Sequence, residues 1–415
     1  MIQPSSPPFL LLLLLLFLPL LLLASSARAQ DGFGFVGTAG NGSLVLQAPA
    51  GGRVWIDGSD FRALLGSVGA LQQQVAALEG VLQGQRCRTV ADTTSITGLN
   101  GTEKWWGGVL APNGKIYGIP SSAEAVLVID PATHAVDAST LTTFTGAGKW
   151  ANGVLAGNGK IYGVPRDATA VLIIDPATNQ TDWTSISGLS SDGDKWRSGV
   201  LARDGKIYCV PFYALAVLII DPATNTVDLS SMAGPALHGG AKWEGAVLAG
   251  NGNIYGIPRN IGSVIIIDPV ARTMSLTAIT GLLASEAWIG GVLAANGKIY
   301  GIPHRSSDVL VIDPDTNTTE LVSIAAVGQG RGKWNTGCLG TNGKIYGMPR
   351  DVAHVLAFDP SSHTGYNATA TSLDELQYKW YGCATAADGT IYGIPRNAES
   401  VLVLRAECIL VRGPL

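Results

Sequence analysis

A lysine precedes a tryptophan six times along this chain, at Lys104-Trp105, Lys149-Trp150, Lys195-Trp196, Lys242-Trp243, Lys333-Trp334 and Lys379-Trp380. A seventh tryptophan, Trp288, follows Ala287, and successive members of the set are 45 to 47 residues apart. Arg166, Arg259, Arg350 and Arg396 each stand directly after a proline in the same unit, and His304-Arg305 hold that place in another. Indole faces stack on sugar rings, and guanidinium and ammonium groups bind carboxylates and sulfates. A face built this way offers several equivalent weak sites, which multivalency amplifies. The same residues also suit a structural role, with each indole wedged between neighbouring units and its lysine lying over an adjacent ring as a cation–π contact.

Groups of a catalytic kind are sparse. The five histidines, at 134, 238, 304, 354 and 363, are scattered, and no pair has metal-ligand spacing. No Gly-X-Ser-X-Gly elbow sits between a strand and a helix. Asp130, Asp175, Asp221, Asp268, Asp313 and Asp359 each precede a proline, one per unit, and read as turn braces. The expectation is no catalytic residue, no metal and no cofactor.

What positions these residues is a repeat of about 46 residues. The segment IYGIP at Ile116–Pro120 recurs with variants at Ile161, Ile207, Ile254, Ile299, Ile345 and Ile391. Each unit reads as four strands. A Gly-Val-Leu-Ala strand A meets an Asn-Gly or Asp-Gly turn, which supplies the positive φ of a tight hairpin. Strand B, Lys-Ile-Tyr-Gly-Ile, stops at proline. Strand C is a continuous apolar run, as a strand covered on both faces requires, and Pro-Ala-Thr-Asn turns the chain into a weaker strand D around Thr181 to Ile186. Glycine and proline at these positions forbid helices of useful length. Seven such units predict an all-β fold, a seven-bladed β-propeller over 87–408.

The repeat resembles the YVTN type of β-propeller repeat and, more loosely, the NHL type. The likeness is carried by GVLAGNGKIY at Gly153–Tyr162 and AVLIIDPATN at Ala170–Asn179, and it covers about 89 to 408. The resemblance implies a propeller scaffold. Such scaffolds serve as binding surfaces, as frameworks and sometimes as enzymes, so it implies no single activity. The tryptophan at the start of every unit departs from that pattern.

The seventh unit keeps its apolar run, Val401 to Leu404, but has Arg405 where the aspartate belongs and no strand D of its own. TSITGL at Thr94–Leu99 matches TSISGL at Thr184–Leu189, so residues near 90 to 99 are expected to complete the last blade as an N-terminal strand clasp. Cys87 and Cys408 align in the C–D turn where the ring is cut, and a disulfide between them is expected to seal it. Cys338 and Cys383 fall at nearly equivalent positions of adjacent strands A, without a firm pairing. Cys209 reads as a small buried residue.

The rest of the chain looks secreted. Phe9 to Ala24 is a leucine run shorter than a membrane span, followed by Ala27-Arg28-Ala29, so a signal peptide is expected over 1–29 and no membrane span after its cleavage. Residues 30–60 read as a β-rich collar. Residues 61–86 carry apolar positions in heptads, Phe61, Val68, Val75 and Leu82 with Leu64, Leu71 and Leu78, which predict a coiled-coil helix, with a trimer favoured. Residues 409–415 form a tail. Sequons at Asn41, Asn100, Asn179, Asn317 and Asn367 predict glycosylation. A net charge of −4 without any long basic stretch excludes nucleic acid as a partner. The function expected is a secreted binding or adhesion protein that shows propeller heads on a self-associating stalk and recognises a glycan or an extracellular protein. The alternatives are a propeller hydrolase or lactonase, and a structural matrix or wall component.

Overall fold

The structure is a computed structural model, and it describes residues 35–38, 44–47, 55–56, 59–60, 85–324, 330, 332–368, 373 and 376–410. The leader over 1–29 and the heptads up to residue 84 lie outside the described residues, whereas Gln85 and Arg86 belong to a strand. In the N-terminal part, Phe35–Thr38 pairs with Leu44–Gln47 and Trp55–Ile56 with Ser59–Asp60, both antiparallel.

Residues Cys87–Glu407 form the second unit of the chain. It contains seven antiparallel sheets of four strands. In blade 2, strand A is Trp150–Leu155, strand B Ile161–Pro165, strand C Leu172–Asp175 and strand D Gln180–Asp182. The A–B hairpin turns at Asn158-Gly159, where Gly159 has φ +78°, and Pro165 ends strand B opposite Trp150. The other strands A are Trp105–Leu110, Trp196–Leu201, Trp243–Leu248, Trp288–Leu293, Trp334–Leu339 and Trp380–Thr385. Each touches the next, and the last touches the first, so they line a central channel. They approach closely there. A Cβ on Gly382, which has φ +75°, would stand 2.5 Å from Gly107 Cα. Among the described residues the only helix is a 3-10 turn, Pro235–Leu237, and no helix is long and apolar enough to cross a membrane.

Apolar residues of adjacent blades interleave. Trp196 of blade 3 packs among Tyr162, Val164, Ile173 and Ile186 of blade 2 and Ile207 and Leu218 of its own blade. A polar lacing adds to this at the A–B turns. The buried tyrosine of strand B reaches the C–D turn of the following blade, as Tyr255 does in donating to Asn317 Oδ1 at 2.8 Å and to the Pro314 carbonyl at 3.2 Å. Tyr392 of blade 7 donates to the Pro131 carbonyl of blade 1 at 3.4 Å, carrying the lacing across the end of the repeat array. The aspartates before proline brace their turns, with Oδ1 accepting from the amide two residues on, as from Ala177 to Asp175 at 3.0 Å. At the position of the missing aspartate, Arg405 meets His134 Nε2 at 2.6 Å instead.

The seventh sheet runs Trp380–Thr385, Ile391–Pro395, Leu402–Leu410 and then Gln85–Asp92. Strand D ends earlier than the sequence pattern suggests. In blade 2 it stops at Asp182, whose carboxylate accepts from the amides of Thr184 and Ser185 and turns the chain. Asp92 accepts in the same way from Thr94 and Ser95. Thr94 to Leu99 therefore follow the strand, and Ile96 and Leu99 are buried with Tyr392, Ile394 and Val401. A disulfide joins Cys338 and Cys383, with Cα atoms 6.0 Å apart. The side chains of Cys87 and Cys408 lie outside the described residues. Cys209 is buried and free, and burial pushes its thiol pKa up. Asn100, Asn179, Asn317 and Asn367 are exposed, and Asn41 lies outside the described residues.

Candidate binding site at the channel mouth

The ring of Lys-Trp pairs does not form an open surface. Trp105, Trp150, Trp196, Trp243, Trp288, Trp334 and Trp380 are all between 0 and 4% exposed. Each donates its Nε1–H to a backbone carbonyl twenty residues on, those of Ala125, Ala170, Ala216, Ser263, Asp308, His354 and Ser400, at 2.8 to 2.9 Å. Lys104, Lys149, Lys195, Lys242, Lys333 and Lys379 are likewise buried. Each ammonium donates to the carbonyl three residues before it, at 2.7 to 3.2 Å. Burial pulls the pKa of Lys104, Lys149 and Lys242 down to about 8. The expectation that these indoles stack on sugars is thereby corrected. An indole is large enough to fill the gap between two blades, and its one donor finds its partner there. The backbone ties the same region together, with Lys149 N donating to the Ser121 carbonyl and Arg166 N to the Lys149 carbonyl.

The B–C turns and D–A connections do gather the predicted arginines around the mouth of the channel, together with residues that the repeat pattern concealed. The residue after each ring tryptophan varies from blade to blade: Trp106, Ala151, Arg197, Glu244, Ile289, Asn335 and Tyr381. Trp106, Ala151, Ile289 and Tyr381 form one buried cluster although they come from blades 1, 2, 5 and 7. Blade 5 lies across the ring from blades 7, 1 and 2 and meets them only at the axis, so these side chains plug the channel. The Trp106 and Tyr381 rings lie 4.3 Å apart.

Beside this apolar part sits an acid–base network. Glu244, 3% exposed in its side chain, accepts from Arg197 at 3.1 Å, from Arg259 at 2.7 Å and from the Tyr381 hydroxyl. Burial would raise its pKa, but Arg197, Arg259 and Tyr381 outweigh that and hold it at about 2. Arg197 also pairs with Asp194 at 2.8 Å, and Glu286 pairs with both Arg259 and Arg305. His304 is buried with Nδ1 2.9 Å from the Trp334 carbonyl, and burial takes its pKa down to about 4.

The remaining predicted arginines lie against rings. Arg350 is over Tyr378 at 3.6 Å, Arg396 over both Tyr378 at 4.8 Å and Trp106 at 4.7 Å, and Arg166 over Trp106 at 5.0 Å. Below the plug a chamber of about 170 Å³ is lined mainly by strand-A glycines, with Ser198, Glu244, Thr336 and Tyr381 adding polar groups. Among the described residues no three His, Cys, Asp or Glu are grouped as metal ligands would be. The signal that sequence reading missed was available: the strand-A position at which all seven units differ.

This arrangement defines the chain as a seven-bladed β-propeller protein with a plugged channel and a charged, aromatic mouth. No family model and no curated protein matches it. Among solved structures it is similar to a streptogramin B lyase, at 11% identity and TM-score 0.61 over 77% of this chain and 98% of the other. A virginiamycin B lyase from Staphylococcus aureus gives 9% identity and TM-score 0.61 over 77% and 99%. The extracellular domain of the one-component system BT4673 from B. thetaiotaomicron gives 10% identity and TM-score 0.56 over 79% of this chain and 44% of that one. Likeness at this identity shows the fold, which is therefore shared with an enzyme and with an extracellular domain.

Proposed function

We propose that this protein is a secreted binding protein whose propeller recognises an extracellular glycan or protein at the channel mouth on the B–C turn face. The observation that carries the reading is the convergence of Arg166, Arg197, Arg350 and Arg396 with Trp106, Tyr378 and Tyr381, and of Arg259 with Phe212, at the place where the units cease to be alike. Residues that depart from a repeat without serving its packing are free to serve a ligand. In this reading the heptads of 61–86 associate, a trimer being favoured, and multiply weak contacts. A Cys87–Cys408 bond seals the seventh sheet, and sugars at Asn41, Asn100, Asn179, Asn317 and Asn367 cover the outside. Peptide mapping of the non-reduced, secreted protein tests the bond and the sugars.

The test of the central claim is a glycan array and an extracellular-protein panel probed with the full chain. Two exposed residues of the B–C turns, Tyr213 in blade 3, which is 51% exposed, and Arg305 in blade 5, provide the variants Tyr213→Ala and Arg305→Ala for comparison. Retention that both substitutions weaken supports the reading, and retention that neither alters sinks it. A hydrolase or lactonase is the second reading, favoured by Glu244 and Tyr381 in the chamber lining. It is weaker because the Glu244 oxygens already accept from three side chains, which leaves the carboxylate poorly placed to act as a base.

A further inference from the structure

The mouth divides by how its guanidinium groups are used. On blades 3 and 4, Arg197 has all three of its nitrogens paired, with Asp194 and Glu244, and both Arg259 Nη atoms are paired, with Glu244 and Glu286. On blades 2, 6 and 7 the pairing is incomplete. Arg166 binds Asp194 through Nε at 2.5 Å, Arg350 binds Asp351 through Nη1 at 2.8 Å, and Arg396 binds Glu103 through Nη2 at 2.5 Å. Among the described residues, both Nη atoms of Arg166, Nη2 of Arg350 and Nη1 of Arg396 have no hydrogen-bond partner. The Nε atom of Arg396 and Nε1 of Trp106 are buried without one, as is Nε of Arg259 on blade 4.

These three arginines are also held in line. Arg350 and Arg396 share the Tyr378 ring, and Arg396 and Arg166 share the Trp106 ring, so cation and ring alternate from blade 6 through blades 7 and 1 to blade 2. Stacking fixes the plane of a guanidinium and costs it side-chain entropy in advance, which leaves its unpaired N–H groups preorganised for a bidentate acceptor. The side chains of Arg166, Arg350 and Arg396 are 16, 14 and 10% exposed, so each is mostly covered but keeps some contact with solvent.

We propose that this ladder, Arg350, Tyr378, Arg396, Trp106 and Arg166, is a subsite for the oxyanions of an acidic glycan, carboxylate or sulfate, with successive guanidiniums taking successive anionic groups of one chain. The inference rests on the binding reading of the mouth and assigns it a ligand class.

The experiment uses the full secreted chain with three probes: a polyuronate, a highly sulfated polysaccharide and a neutral glucan. The two acidic probes separate carboxylate from sulfate as the source of the oxyanion. Binding of one or both acidic probes, weakened by added salt and absent for the glucan, is the expected result. Arg166→Gln and Arg396→Gln are each expected to weaken binding about ten-fold or more, as loss of a charged hydrogen bond does. Arg203→Gln, at an A–B turn, is expected to leave binding unchanged. Should a Gln variant fail to fold, displacement of the wild type's bound polymer by free glucuronate or inorganic sulfate, and not by glucose, tests the same claim. Failure of both acidic probes to exceed the glucan overturns the inference, as does binding that Arg203→Gln weakens as much as the ladder variants do. A neutral glycan or a protein whose retention is lost in Tyr213→Ala, with the ladder variants unaffected, overturns this inference and leaves the mouth reading standing.

Discussion

The two halves of the channel mouth use similar residues for different ends. On blades 2 to 5, charges form a continuous chain from Asp194 through Arg197, Glu244 and Arg259 to Glu286 and Arg305, in which Arg197–Glu244 and Arg259–Glu286 join successive blades. On blades 6, 7, 1 and 2, arginines lie on Tyr378 and Trp106 and keep N–H groups unpaired. Beside the Arg396–Glu103 pair, the blades of this second half are held to one another by further means: the Cys338–Cys383 bond between strands A of blades 6 and 7, and Asn335 donating to the Trp380 carbonyl at 3.0 Å. A region cemented by its own ion pairs has few charges left to offer a ligand. A region stapled covalently can leave part of each guanidinium unpaired.

That contrast can be broken first at Glu244. Glu244→Ala takes from the nearly buried Arg197 and Arg259 the carboxylate they share, leaving each with a single partner, Asp194 or Glu286, and it is expected to cost about 3–5 kcal/mol, read as a fall in denaturation midpoint. The disulfide comes next. Cys338→Ser with Cys383→Ser releases a loop with a sequence separation of 45, for which chain entropy predicts a loss of about 4 kcal/mol, and denaturation with and without a reductant should show the same difference.

A smaller effect is expected from acid. His304 takes up a proton near 6.5 in the unfolded chain and only near 4 in the folded one. The unfolded state therefore binds more protons between those values, so stability is full above about pH 6.5 and falls as the pH drops towards 4. At pH 5 the loss should be about 2 kcal/mol. Denaturation curves at pH 7 and pH 5 for the wild type and His304→Asn should show the dependence shrink in the variant. Arg350→Gln, in the other half, should change stability by less than about 1 kcal/mol in either direction, because its partner Asp351 keeps solvent contact. If Arg350→Gln proved as costly as Glu244→Ala, the two halves would not differ as described.

Much of the fold was legible in the residues. The Asn-Gly turns, the proline ending each strand B and the apolar strand C each specify geometry over a few residues, and seven copies of the same message remove ambiguity. Strand D was placed late because the capping carboxylates of Asp182 and Asp92 turn the chain before the apolar residue that marks the segment. The site was legible only in part. Arg166, Arg259, Arg350 and Arg396 were picked out by the turn they occupy, but Trp106, Arg197, Glu244 and Tyr381 were not, because each is a single irregular residue beside a conspicuous tryptophan.

The Lys-Trp pairs mark the boundary between what sequence and tertiary structure each decided. Their spacing alone determined that the chain is a repeat of like blades, since a period near 46 with strand signals has few other solutions. Whether those indoles would face a ligand or a neighbouring blade was decided only when the blades packed, because part of what covers each one, as Tyr162 and Ile173 cover Trp196, belongs to the preceding repeat. The same holds for the mouth. Its charges and rings come from seven places about 46 residues apart, and only closure of the ring brings Arg396 of the last blade onto Trp106 of the first.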